Sequence, residues 1–271
     1  MKSSIRNIFD KIAYPLVAGS LLSSSYAFAE FVYVPNNGDT AVSVINSLTY
    51  QVIATVTVGS GYPYSVTFPP TGAYAYVPNY NDTPTGTVSV INTTNYQVIA
   101  TVIVGDGPQA VTLSPTGAYA YVPNYGDTPP GTVSVINTTN YQVVATVTVG
   151  DTPVAVTFSP TGAYAYVPNF NDGPTGTVSV INTTNYQVIA TVVVGYNPVA
   201  VTFSPTGPYA YVPNNGDIPT GTVSVINTTN YQVVATVPVG DGPQAVGITQ
   251  YGTIPQLEQH QFQRGQFMRS R

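Results

Sequence analysis

Five Asn-x-x-Asp pairs recur along the chain: Asn36/Asp39, Asn79/Asp82, Asn124/Asp127, Asn169/Asp172 and Asn214/Asp217. Three further carboxylates, Asp106, Asp151 and Asp241, follow Val-Gly dipeptides. Oxygen donors of this kind suit hard cations such as Ca²⁺ or hydroxyl-rich molecules such as glycans. Each pair brings a single carboxylate, however, and no D-x-D-x-D spacing occurs. A calcium site is therefore a secondary expectation, and no cofactor is required. Asn and Asp also bond their side chains to nearby backbone in turns. That property alone would propagate one useful turn through a duplicated unit. Tyr80, Tyr125 and Tyr196 lie beside these carboxylates. They are candidates for contact with a ligand, because Tyr offers large area at low entropic cost.

Catalytic chemistry has little to work with. The chain has no cysteine, and its six basic residues are Lys2, Arg6, Lys11, Arg264, Arg269 and Arg271. The one histidine, His260, also falls outside the Glu30–Glu258 body. Ser-His-Asp triads and Lys or thiol nucleophiles are thereby excluded from that body. Paired carboxylates can hydrolyse glycosides. Their two pKa values must be split by different surroundings, which near-identical loops do not readily supply. A carboxylate-dependent glycoside hydrolase or lyase is the alternative to a non-catalytic reading. Nucleic acid is excluded as a partner, since phosphates are held mainly by Lys and Arg.

The elements that position these residues follow from a repeat. Tyr-Val-Pro-Asn begins at Tyr33, Tyr76, Tyr121, Tyr166 and Tyr211, with spacings of 43, 45, 45 and 45. In one unit, Pro153–Ser159 is apolar and β-branched, and Pro160–Gly162 is a turn. Ala163–Asn169 alternates with period two, with Tyr164 and Tyr166 on one face and Ala163, Ala165 and Val167 on the other. Thr177–Asn182 and Tyr186–Gly195 supply two more strands. These four strands are lettered A to D, from the axis outward. Four strands in tandem repeats of this length indicate propeller blades, and the bulky face of one blade is expected to pack on the small face of the next. The fold class is all-β, a five-bladed β-propeller of four-stranded antiparallel blades over 30–252.

The stretch from Ala165 to Gly207, AYVPNFNDGPTGTVSVINTTNYQVIATVVVGYNPVAVTFSPTG, resembles the YVTN-repeat β-propellers of bacterial and archaeal secreted and surface proteins. The resemblance covers roughly 31–252. Here Y-V-P-N stands for Y-V-T-N, V-I-N-T or V-I-N-S for V-I-D-T, and S-P-T-G for S-P-D-G. Such relatives often have seven blades, whereas five are counted in this sequence. The resemblance implies a propeller fold and an envelope or extracellular location.

Three expectations complete the picture. Lys2, Arg6 and Lys11 precede an uncharged run from Ile12 to Ala29 ending in Ala-Phe-Ala. This is a secretory signal peptide cut after Ala29, which places the mature chain in the periplasm or outside the cell with no membrane insertion. The Gln-rich stretch 253–271 is a disordered tail. Finally, the mature chain starts at a strand B, Phe31–Asn36, and ends with a lone strand A, Gln244–Thr249. The latter is expected to pair with the former, burying Val246 and Ile248 and closing the ring. The alternative is an open arc that closes only against another copy. The B–C and D–A loops, and with them every Asp of the body, are expected on one face. The whole describes an exported, non-catalytic binding or structural module with a glycan or envelope-protein partner. The four Asn-Thr-Thr triplets at Asn92, Asn137, Asn182 and Asn227 read as C–D turns.

Overall fold

The structure is a computed structural model that describes residues 30–80 and 85–249. The signal peptide 1–29 and the tail 253–271 lie outside the described residues. The described residues form five antiparallel sheets in chain order. Blade 1 is β1 (Phe31–Asn36), β2 (Ala41–Asn46) and β3 (Gln51–Thr57). Blade 2 is β4 (Tyr62–Pro63), β5 (Tyr74–Tyr80), β6 (Thr87–Asn92) and β7 (Val98–Ile103). Blade 3 runs through β8 (Thr112–Leu113), β9 (Tyr119–Asn124), β10 (Thr132–Asn137) and β11 (Gln142–Thr148). Blade 4 holds β12 (Thr157–Phe158), β13 (Tyr164–Asn169), β14 (Thr177–Asn182) and β15 (Val188–Val193). Blade 5 holds β16 (Thr202–Phe203), β17 (Tyr209–Asn214), β18 (Thr222–Asn227) and β19 (Gln232–Pro238). The all-β propeller expectation stands.

Strand A is shorter than the apolar run suggests. Its ladder shrinks to two residues plus one isolated bridge, for example Thr157–Phe158 and the Pro153–Asn169 bridge. The proline of Tyr-Val-Pro-Asn explains this. Tyr64, Val154 and Val199 donate to the carbonyls of Pro78, Pro168 and Pro213 at 3.1–3.2 Å. In an antiparallel strand the nitrogen of the same residue faces the same side, and proline has no hydrogen to return. Neighbouring A strands are instead tied around the axis by side chains. The hydroxyls of Ser65, Thr112 and Thr202 donate to the carbonyls of Gln109, Val156 and Val246 at 2.9–3.0 Å.

The core sits between blades, not within them. Tyr166, Val178, Val180, Val192 and Val194 of blade 4 pack with Val201, Ala210, Val212 and Ile226 of blade 5. The same constellation joins blades 1 and 2, 2 and 3, and 3 and 4. The bulky face of each blade thus meets the small face of the next, as the strand alternation requires. T-shaped rings lock three junctions: Tyr33–Phe68, Tyr121–Phe158 and Tyr166–Phe203, with centroids 4.9–5.2 Å apart.

Among the described residues the expected ring closure is not seen. β1 pairs only with β2, and Gln244–Thr249 enters no ladder. Pro243 and Val246 follow blade 5, with Val246 held by Thr202 and Pro243 over Gly221. Ile248 remains 36% exposed. The end faces are correspondingly bare: Val237 of blade 5 is 45% exposed where its counterpart Val192 is 4%. Val34 of blade 1 is 39% exposed where Val77 is fully buried. The described residues make an arc of five blades with four internal junctions.

Burial shapes the titration of the tyrosines. Desolvation first, and neighbouring phenols second, push Tyr33 and Tyr76 from 10.0 up to about 12. Tyr121 and Tyr166 are raised further for the same reasons. A raised phenol pKa means that the folded chain holds its proton more tightly than the unfolded one. The stability it contributes is complete below pH 10 and is lost as pH rises through about 12. No Lys, Arg, His or Cys lies between Glu30 and Glu258 to compete in that range. Part of the tyrosinate absorbance at 295 nm should therefore appear late, together with loss of the β circular dichroism signal. Complete tyrosinate formation with the fold intact would contradict the buried tyrosine core.

Candidate functional site

The sixteen candidate residues separate into distinct environments. Hydrogen bonds between D–A and B–C loops place both loop sets on one face. Asp127 accepts from the backbone of Asp106 at 2.7 Å, Asp172 from that of Asp151 at 3.4 Å, and Asp217 from that of Tyr196 at 2.6 Å. Their second oxygens accept from the hydroxyls of Thr132, Thr177 and Thr222. Each of these carboxylates therefore clasps two loops and the start of strand C. Asp39 accepts from the backbone of Thr40 at 2.7 Å, because no D–A loop precedes blade 1 among the described residues. Asp106 and Asp241 are exposed. Asp82 lies outside the described residues. Among the described residues no group of three or more His, Cys, Asp or Glu side chains converges.

The asparagines differ from the expectation that they line a contact surface. Asn79, Asn124, Asn169 and Asn214 are fully buried. Each donates its amide to a Thr and a Ser of strand C, as Asn169 does to Thr177 at 2.9 Å and Ser179 at 3.0 Å. Their amide carbonyls have no partner. The reason is packing: the side chain lies against the glycine that ends the preceding strand D, where a Cβ on Gly195 would stand 2.6 Å from Asn214 Cγ. Asn36, with no preceding blade, is only half-buried and donates to Ser43 at 2.9 Å. Of the loop tyrosines, Tyr196 is exposed, and Tyr80 and Tyr125 are half-buried; Tyr80 packs against Tyr64.

If Asp217 is a clasp, Asp217→Ala should cost about 1–2 kcal/mol, since it strips an acceptor from two donors at the edge of the core. Asp241→Ala, at an exposed site, should stay within about 0.5 kcal/mol. Chemical denaturation of the two variants checks this, and equal effects would contradict the structural role.

A second set of sites, not anticipated from the sequence, lies between blades at the opposite end. The A–B and C–D turns frame a cleft at each junction. One of about 580 Å³ is walled by Phe31, Tyr33, Phe68 and Tyr96, with Thr93 and Thr94 at its rim. Clefts of about 180–260 Å³ repeat at the other three junctions, lined by Tyr74 and Tyr76, Tyr119 and Tyr121, and Tyr164 and Tyr166. Ser and Thr hydroxyls from the Pro-Thr-Gly turns and the C–D turns complete their walls. The first cleft is the largest because blade 1 lacks the strand A and A–B turn that narrow the others.

The turns beside these clefts are built locally. In the C–D turn, Asn92, Asn137, Asn182 and Asn227 each accept a backbone N–H two residues on at 2.8–2.9 Å. This Asx turn ends in a tyrosine at positive φ: Tyr96, Tyr141, Tyr186 and Tyr231, all near 60°. That backbone turns the ring towards the preceding blade. Phe31–Tyr96, Tyr74–Tyr141, Tyr119–Tyr186 and Tyr164–Tyr231 meet edge to face with centroids 6.2–6.5 Å apart. The signal in the sequence is the Asn-Thr-Thr-Asn-Tyr run itself, whose tyrosine is too bulky for a turn that only reverses direction.

No family model and no curated protein matches the chain. Among solved structures, the fold is similar to a chain of Kuenenia stuttgartiensis hydrazine synthase at 25% sequence identity and a TM-score of 0.67. The match covers 79% of this chain and 64% of that one. No helix among the described residues is long and apolar enough to cross a membrane. What the likeness carries to this chain is its architecture, a β-propeller.

Proposed function

We propose that the chain is an exported, non-catalytic β-propeller of the YVTN-repeat kind that binds glycans at the cell envelope. The observation that carries this reading is the series of tyrosine-walled, hydroxyl-rimmed clefts at the four blade junctions. An aromatic wall beside Ser and Thr hydroxyls suits the apolar face and hydroxyl edge of a sugar ring. Repetition of weak sites along one arc favours a repetitive target such as a polysaccharide, because the second contact becomes intramolecular. The loop face with Tyr80, Tyr125 and Tyr196 is a second surface for the same or a protein partner. The clasping role of Asp127, Asp172 and Asp217 supports a non-catalytic reading, since their oxygens are engaged in holding loops. Export rests on the basic, apolar and Ala-x-Ala organisation of 1–29.

The test is a glycan array probed with the full chain. Binding without turnover is expected, weakened by Tyr96→Ala in the largest cleft and little changed by Asp106→Asn on the loop face. Absence of any glycan binding would contradict the reading. Release of reducing sugar that vanishes in Asp→Asn variants would establish the hydrolase alternative instead.

A further inference from the structure

The two ends of the arc are complementary halves of a junction already made four times within the chain. Blade 5 presents the bulky face, with Tyr211, Val223, Val225 and Val237 in the register of Tyr166, Val178, Val180 and Val192. Blade 1 presents the small face, with Val32, Val34 and Ile45 in the register of Ala210, Val212 and Ile226. The peripheral ring pair is also split. Tyr50 stands at positive φ like Tyr231 but is 82% exposed, and Tyr209, the counterpart of Tyr164, is 37% exposed. Among the described residues blade 1 lacks only its strand A. Beyond blade 5, Val246 already occupies the next place in the belt of A strands, held by the Thr202 hydroxyl at 3.0 Å. None of the side chains named on either face is charged.

We propose that the arc associates head to tail with a second copy of this chain, the blade 5 face of one seating on the blade 1 face of the other. Gln244–Thr249 of the first copy then lies along β1 of the second and supplies the strand A that blade 1 lacks among the described residues. The occupant is a second copy because the contact continues an interface that the chain itself builds repeatedly. Meeting its own opposite end would require re-angling four filled cores, which packed interiors resist. Because the two faces differ, the contact is heterologous, and one free face of each kind remains at the ends of any open assembly.

Size-exclusion chromatography with multi-angle light scattering on the full chain, over a concentration series, tests this. Integral multiples of the single-chain mass are expected. Val34→Asp blocks the blade 1 face and Val237→Asp the blade 5 face, at positions exposed within one chain. Tyr50→Glu repeats the blade 1 block at a turn outside the ladder. Each variant alone should run at single-chain mass with an unchanged circular dichroism spectrum. An equimolar mixture of Val34→Asp and Val237→Asp should give two-chain particles and nothing larger, because one intact face of each kind remains. A wild-type chain at single-chain mass throughout overturns the proposal. So does assembly that survives either substitution, or a mixture that stays at single-chain mass.

Discussion

Tyr166→Ala should cost about 3–5 kcal/mol, the range for deleting a large aromatic side chain from a core. Tyr166 is 1% exposed, stacks edge-on against Phe203 at 4.9 Å and anchors the junction of blades 4 and 5. The surrounding valines come from strands fixed by their own ladders, so the space cannot collapse. The same substitution at Tyr211 is chemically identical and occupies the same place in the repeat. Tyr211 is only half-buried, because no blade follows blade 5 among the described residues. Its loss should therefore be well under half that of Tyr166→Ala. Urea denaturation of the two variants in the Val34→Asp background, which keeps the chain single, provides the comparison. Equal penalties there would mean that blade 5 has a neighbour within one chain.

Gly195→Ala is expected to be the second severe change. A Cβ there would stand 2.4 Å from Asp217 Oδ2 and 2.6 Å from Asn214 Cγ. Neither can step aside. Asn214 is fully buried and tied to Thr222 at 2.8 Å and Ser224 at 2.9 Å, and Asp217 clasps Tyr196 and Thr222. Overpacking of this kind costs about 1–3 kcal/mol, and the fixed neighbours place it at the upper end. Gly240 is the equivalent residue of blade 5, yet a Cβ added there meets nothing within 4 Å. Gly240→Ala should be neutral within about 0.5 kcal/mol. Thermal melts of the two alanine variants in the Val34→Asp background, which keeps the chain single, decide it, and a destabilised Gly240→Ala there would show that something packs on the blade 5 end within one chain.

Much of this architecture was legible in the repeat. The spacing of Tyr-Val-Pro-Asn marks strand B, and the Tyr/Ala alternation within it foretells the bulky-on-small packing seen at every junction. The loop carboxylates were placed on one face by strand order alone, and Asp127, Asp172 and Asp217 are found there. Other features depend on partners distant in sequence. Proline in strand B limits strand A, an effect that needs the direction of the Pro168 carbonyl to be known. Asn169 resembles a turn residue by type, yet its burial follows from the glycine of a different blade. The clefts arise where Tyr74 and Tyr76 of one blade face Gly117 and Thr138 of the next, so no single repeat contains one. Closure is not seen among the described residues: the strand inventory offers Gln244–Thr249 a partner in Phe31–Asn36, yet the segment enters no ladder there.

Among the described residues, blades 1 and 5 do not meet within one chain. Tyr50 and Tyr209 would form the fifth ring pair if they did, as Tyr164 and Tyr231 do with centroids 6.4 Å apart. The chain contains no cysteine, so Tyr50→Cys and Tyr209→Cys together give two unique labelling sites. Spin labels at these positions, in chains diluted with unlabelled protein, allow the intrachain distance to be measured by pulsed dipolar spectroscopy. The open arc predicts a defined distance clearly longer than that of labels placed at the Tyr164 and Tyr231 positions. An intrachain distance as short as that neighbouring pair would contradict it.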